Sequence, residues 1–168
     1  VEHGDFSRYT YNPSLATPWV MYDKRGVRYI FGAQAESRIA TSTKVFRWYL
    51  DSLTDPNGNT MQYVYIKDGG QRYPAHITYT RNGAIAGIGE VRFIYETRPD
   101  VVVSSHAGFP ITTTKRVKEL QVFTKGELTR RYQLRYASGD NSSRSLLASM
   151  QESGWNAETG TTTLPAVE

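Results

Sequence analysis

Apolar and polar residues alternate along most of this chain with a period of two, and glycine-bearing turns interrupt the alternation at short intervals. Successive side chains of a strand point to opposite faces, so this pattern predicts antiparallel hairpins rather than helices. "WVMYDKRGVRYIFG" reads as strand, turn at Asp23-Lys24-Arg25-Gly26, strand, with Val27, Tyr29 and Phe31 on one face. "KVFRWYL" reads as one strand, setting Phe46, Trp48 and Leu50 against Arg47, Tyr49 and Asp51. Beyond "DPNGN", Met61, Tyr63 and Tyr65 alternate with Gln62, Val64 and Ile66, which predicts a strand covered on both faces. "GEVRFIYET" follows a turn at "RNGA", and "KELQVFTKGELTRRYQLRYAS" forms a hairpin about Lys125-Gly126. Between these two, "TRPDVVVSSHAGFP" breaks the rhythm and reads as a loop. Residues 143–152 fit a short helix or a strand, and the β surroundings lean to the strand. The tail, 157–168, is polar and aperiodic and reads as linker-like.

The expected architecture is therefore all-β: an antiparallel hairpin meander forming a sandwich or an open, partly closed barrel. No internal linker divides residues 1–168, which predicts a single domain. The chain begins at Val1 rather than Met, which reads as a piece of a larger polypeptide. Composition agrees with the pattern: 39% of residues are hydrophobic, and 12 Tyr and 3 Trp suit sheet faces that are half buried. Cysteine is absent, which excludes disulfides and thiolate metal sites. No apolar run reaches the roughly 18–20 residues that a membrane-spanning helix needs. The net charge is +4, with local basic clusters only at 114–118 and 129–131. Such clusters on strands read as solvated faces, and no nucleic-acid partner is expected.

The best candidate for chemistry is "TDPNGN", where Asp55, Asn57 and Asn59 place oxygen-bearing side chains at alternate positions. A helix-loop-helix calcium site needs glycine at position 6 and a carboxylate at position 12 of its loop. Counted from Asp55, those positions are Thr60 and Ile66, so the metal reading fails. A structural turn accounts for all five residues, Asp55, Pro56, Asn57, Gly58 and Asn59: proline pre-sets φ, and Asn57 and Gly58 accept φ > 0. The three histidines, His3, His76 and His106, fit no nucleophilic or metal-binding motif. Glu90 and Glu96 share a strand face but lie roughly 20 Å apart by strand rise, too far to work as a pair. Neither a catalytic group nor a cofactor is expected. Trp19, Trp48 and Trp155, with the tyrosines, remain as candidates for stacking on glycan rings, against the commoner use of strand aromatics in packing.

Four stretches taken together, "GDFSRYTY", "WVMYDKRGVRYIFG", "VFRWYLDSLTDPNGNTMQYVYIKDGGQRYPAHITYT" and "GELTRRYQLRYAS", resemble the SpvB-type N-terminal domain of bacterial insecticidal toxin-complex B subunits and RHS-associated virulence proteins. The ordered pattern is Trp48-Tyr49-Leu50, Asp55 to Asn59, Tyr63-Val64-Tyr65 and Ile77 to Thr80. "RSLLASMQESG" followed by "TTTLPAVE" fits the downstream part of such domains. The resemblance implies a β-rich structural module of a secreted or cell-surface virulence protein. Its partners would be a β-propeller, RHS/YD repeats and the other toxin-complex subunits, which together build a shell around a toxic C-terminal cargo. ADP-ribosyltransferase activity in the family belongs to a separate domain with an S-T-S strand and an E-x-E loop. Here Ser42-Thr43 lacks the second serine and no E-x-E occurs, so no enzymatic role carries over. A carbohydrate- or cell-surface-binding β module is the alternative reading. In an excised piece, open strand edges would favour self-association.

Overall fold

The structure, a computed structural model, describes residues 6–14, 18–140, 143–156 and 160–168. Every regular element among them is a strand, and the antiparallel sheet of 11 strands is open, not closed into a barrel. The all-β expectation is borne out in this open form. The chain divides into two compact units, Val1–Lys67 with Arg72–Ile88 and Asp68–Gln71 with Gly89–Glu168.

The first unit contains β1 (Arg8–Tyr11), β2 (Trp19–Tyr22), β3 (Arg28–Phe31), β4 (Arg38–Ala40), β5 (Val45–Trp48), β6 (Leu50–Thr54) and most of β7 (Asn59–Asp68) and β8 (Gln71–Asn82). Its main sheet runs β1-β2-β3-β6-β7-β8, and β4 and β5 form a separate pair. Pairing of Tyr9 with Met21, Tyr11 with Trp19, and Trp19 with Phe31 sets these aromatic residues along one face of the first three strands. "KVFRWYL" is not one strand. The chain leaves one sheet after Trp48 and enters the other at Leu50. Tyr49 makes the crossing: its N–H donates to Ser37 O at 2.8 Å, and Gly32 N–H donates to its carbonyl at 2.9 Å. Ser37 and Ile39, each 1% exposed, are the largest fully buried side chains among the described residues. In β7, Tyr65 is buried and its hydroxyl donates to Leu50 O at 2.7 Å. Burial, helped by the Asp51 charge, pushes this phenol up to about 12. Val64, 43% exposed, and Ile66 lie open on the other face, so β7 is covered on one side and not on both.

The second unit contains β9 (Gly89–Ser104), β10 (Ile111–Thr124), β11 (Glu127–Ser138), β12 (Ser145–Asn156) and β13 (Gly160–Thr163), paired in that order. The stretch that reads as a loop from 97 is strand as far as Ser104. Two features hide it in the sequence. Pro99 falls where the β9–β10 register jumps from Val102↔Thr113 to Thr97↔Lys115, an interruption that tolerates a missing N–H. Asp100 is an inward-facing charge, only 9% exposed, where alternation would place an apolar residue. The β10–β11 turn has φ 52° at Lys125 and φ 83° at Gly126, as a two-residue hairpin with both central residues left-handed requires. Residues 145–156 are strand β12. β13 pairs with β12, and Val167 exchanges backbone hydrogen bonds with Met150 at 2.9 Å, so part of the stretch that reads as linker-like is sheet. Residues 157–159 of that stretch lie outside the described residues. The tip Asp68–Gln71 belongs to this unit: Thr112 N–H donates to Gly69 O at 2.7 Å, and Asp68 accepts from Thr114 Oγ1 at 2.7 Å and pairs with Lys115 at 3.0 Å.

Candidate functional site

Asp55, Pro56, Asn57 and Gly58 lie between β6 and β7, and Asn59 opens β7. Gly58 N–H donates to Asp55 O at 3.0 Å, so the central residues are Pro56 and Asn57, and the left-handed residue is Gly58 alone, at φ 85°. This is a turn closed by a glycine bulge, one residue earlier than an Asn-Gly turn would be centred. The Asp55 carboxylate organises it: Oδ1 accepts from Asn57 N–H at 2.9 Å and Asn59 N–H at 2.8 Å, and Oδ2 accepts from Asn59 Nδ2 at 2.8 Å. The Asn59 side chain above all, then the backbone donors, hold the carboxyl below its ordinary value. Asn82 joins in from β8, donating Nδ2 to Asn57 O at 3.0 Å and to Asn59 Oδ1 at 3.2 Å.

The β2–β3 turn repeats the device. Gly26 N–H donates to Asp23 O at 3.0 Å, and Asp23 Oδ1 accepts from Arg25 N–H at 2.9 Å and Val27 N–H at 3.0 Å. Burial raises the Asp23 carboxyl, but the bonds from Val27, Arg25 and the Tyr29 hydroxyl outweigh it, and the net shift is downward. A Cβ placed on Gly26 would meet Pro56 Cγ at 3.4 Å, so the two turns stand side by side. Among the described residues, no group of three or more His, Cys, Asp or Glu is placed to hold a metal ion.

Trp19 and Trp48 come together. Their ring centroids are 6.0 Å apart at 73°, and Tyr11 lies 4.6 Å from Trp19 and 6.1 Å from Trp48. Beside this cluster an open hollow of about 250 Å³ is lined by Tyr9, Trp19, Phe31 and Trp48. Tyr9 is 60% exposed. Trp19 Nε1 is buried and has no hydrogen-bond acceptor. Gly32 fixes Trp48 from below: a Cβ there, at φ +66°, would stand 2.2 Å from Trp48 Cδ1. The Gly32–Ala33 corner is held in turn by Arg38, whose Nε donates to Gly32 O and whose Nη2 donates to Ala33 O at 3.2 Å, and by Asp51 Oδ2, which accepts from Ala33 N–H at 2.6 Å. The sequence pointed to the two tryptophans. Tyr9 and Tyr11 were not singled out among the tyrosines, and Phe31 was missed, although cross-strand pairing over the Asp23–Gly26 hairpin would have placed Phe31 beside Trp19.

Trp155 lies in the second unit and is 51% exposed. It lines a hollow with Leu128, Arg130, Arg131, Ser153, Gly154 and Thr161, where Arg130 pairs with Glu152 at 3.2 Å and Arg131 with Glu119 at 3.0 Å. In this unit Asp100 ties two strands together. It accepts both Arg98 Nε at 3.0 Å and Arg98 Nη2 at 2.8 Å, together with Ser145 N–H at 2.8 Å and Ser145 Oγ at 2.5 Å. Arg116 extends the network, donating to Ser145 Oγ at 2.7 Å and Glu96 Oε1 at 2.6 Å while lying 4.3 Å over the Tyr136 ring. The Arg98 hydrogen bond, then those from Ser145, hold the Asp100 carboxyl far below the usual carboxylate range.

These arrangements define an all-β module whose charged groups close turns and tie strands together. Comparison with known proteins gives the particulars. Residues 5–84 match the family model described as Salmonella virulence plasmid 65kDa B protein, SpvB. No curated protein matches in sequence. In fold, the N-terminal domain of the effector protein SpvB from Salmonella typhimurium strain LT2 is similar with a TM-score of 0.75 at 16% identity, over 89% of this chain and 65% of that one. TcdB2-TccC3 is similar with a TM-score of 0.79 at 16% identity, and TcdB2-TccC3-TEV with 0.79 at 17%, each over 96% of this chain and 11% of theirs. The chain thus spans under two thirds of the SpvB domain and about a ninth of the toxin-complex chains. The SpvB-type resemblance read from the sequence is borne out.

Proposed function

We propose that this chain is a non-catalytic structural and assembly module of an exported, toxin-complex-like bacterial protein, contributing to the shell that encloses or presents a toxic C-terminal cargo. The observation that carries the reading is the thin cover over both units. Among the described residues, the buried large apolar side chains are Ile39, Tyr65 and Tyr73 in the first and Ile111 in the second, whereas Val64, Ile66, Ile85 and Ile88, and Val101, Val103, Leu146 and Leu147, are exposed. Open apolar faces of this kind mark surfaces that other polypeptide covers. Its partners are then the remaining domains of the parent protein, a β-propeller and RHS repeats, and the other toxin-complex subunits. The parent is secreted or displayed at the cell surface. Electron microscopy of the full-length polypeptide tests the proposal. A closed, hollow particle with this domain in its wall is expected, and a particle without an enclosed space refutes it.

A carbohydrate-binding module is the second reading, favoured by the aromatic hollow that Tyr9, Trp19, Phe31 and Trp48 line. Binding of an oligosaccharide that is lost in Tyr9→Ala supports it.

A further inference from the structure

Within the first unit, β3 and β6 fall out of step. Ile30 pairs with Ser52 and Phe31 with Leu50, so Asp51 is an extra residue on β6 that no residue of β3 faces. A bulge of this kind re-aims the side chain it carries. The Asp51 carboxylate is turned to the Gly32–Ala33 corner, where Oδ2 accepts from Ala33 N–H at 2.6 Å. Its other oxygen, Oδ1, is buried without a hydrogen-bond partner, in a residue only 9% exposed. The neighbouring Tyr65 hydroxyl donates to Leu50 O instead, and among the described residues no ion pair reaches Asp51. A carboxylate oxygen withdrawn from water and left unpaired is costly, and a donor supplied by a ligand removes that cost.

Two hollows, of about 340 Å³ and about 290 Å³, share Gln34, Asp51 and Tyr63 in their lining. We propose that the hollows at Asp51 form a site for a primary ammonium group, carried by a small alkylamine or by a lysine side chain. Charge selects a cation. The charged side chains of the lining are both carboxylates, Asp51 and Glu36, and Arg72 interacts electrostatically with Glu36, which leaves Asp51 as the one without a counter-charge. The number of free oxygens selects the kind of cation. Ala33 already holds Oδ2, so the two-pronged pairing that a guanidinium prefers is closed. An ammonium needs one acceptor for each N–H: Oδ1 takes the first, and the Gln34 carboxamide and Tyr63 hydroxyl of the same lining are acceptors for the others. A quaternary ammonium has no N–H and would leave Oδ1 unpaired. A divalent metal ion asks for more oxygen ligands, and among the described residues no group of three His, Cys, Asp or Glu is placed to supply them.

An NMR titration of the whole chain at neutral pH, read at the Ala33 amide that donates to Asp51, tests the proposal. The probes are n-pentylamine and Nα-acetyl-lysine methylamide, with n-pentanol as the uncharged control and pentyltrimethylammonium as the control without N–H donors. At least one amine should shift the Ala33 resonance to saturation and bind at least about tenfold more tightly than either control. Tighter binding of pentylamine assigns the site to a free amine, tighter binding of the lysine derivative assigns it to a side chain of another polypeptide, and both support the proposal. Asp51→Asn, which keeps an oxygen for Ala33 N–H, should weaken the binding by at least about tenfold. Should that variant not fold, Gln34→Ala, at an exposed side chain, takes its place, with a loss of about threefold expected and an unchanged affinity overturning the proposal. Saturation by neither amine, a control that binds as tightly as the amines, or binding indifferent to Asp51→Asn overturns it as well.

Discussion

A methyl group on Gly32 would enter the space of the Trp48 ring, and the backbone there is left-handed besides. Gly32→Ala should therefore cost about 2–4 kcal/mol and shift tryptophan emission as Trp48 is displaced. Gly108 is the control: its φ is +81° but a Cβ would meet nothing, so Gly108→Ala should cost only about 1 kcal/mol. Denaturant titration of the two variants separates conformation from collision, and equal costs would show that Trp48 does not pack on Gly32. At Gly58 both effects are mild, φ +85° with Asn82 Oδ1 at 3.3 Å, and Gly58→Val should cost about 1 kcal/mol or more. Millimolar calcium should leave the Tm unchanged, because both Asp55 oxygens already accept from the turn's own donors. A rise of several degrees would restore the metal reading. Turn glycines are readable from sequence because the conformational demand is local. The Gly32 contact is not, because its partner lies sixteen residues away across a change of sheet.

At the scale of elements, hairpins with short turns were legible: β2–β3 and β10–β11 stand where alternation and turn chemistry placed them, and the β6–β7 corner falls at the residues the sequence named, although β6 begins where the expected strand ends. Legibility failed where a strand is organised by side-chain charge. Asp100 breaks the apolar rhythm of β9, yet it ties β9 to the start of β12 through Ser145. Its carboxyl is held below its unfolded value, so its contribution to stability is present above the unfolded pKa and lost as pH falls through the folded one. Asp100→Asn should lower the Tm by several degrees at neutral pH. The gap between variant and parent should stay constant down to about pH 5 and close only below about pH 4. A gap already closing between pH 7 and 5 would show that Asp100 is not held ionised by this network. "KVFRWYL" failed for a different reason. Its alternation runs across a crossing where backbone hydrogen bonds at Tyr49 hand the chain from one sheet to another, and there Asp51 is buried while Phe46 is exposed.

For the molecule as a whole, the β class and the family resemblance were both legible, since each rests on patterns that recur along the chain. The division into two units was not, because a hairpin whose tip belongs to one unit and whose stem belongs to the other carries no mark in sequence. We propose that the two units nevertheless constitute one domain. Calorimetric unfolding should then give a single transition whose van't Hoff and calorimetric enthalpies agree, and two resolved transitions would refute it. The carbohydrate candidates fared unequally at this scale. Trp19 and Trp48 meet in the first unit, and Trp155 belongs to the second.

The paired aspartate turns bear on how the chain finds its register as it is made. In each, backbone donors within four residues already close the loop on its aspartate, before the later contacts from Asn82 at one turn and Tyr29 at the other are added. Hairpins of this kind form in roughly 1–10 μs, far faster than the next residues are synthesised. The β2–β3 hairpin can thus be complete before β6 leaves the ribosome, and β6 then meets a partner edge whose alignment is already set. Because a slip of one residue would turn every aromatic of β3 to the opposite face, two turn carboxylates would guard the assembly of the aromatic surface from its first moments.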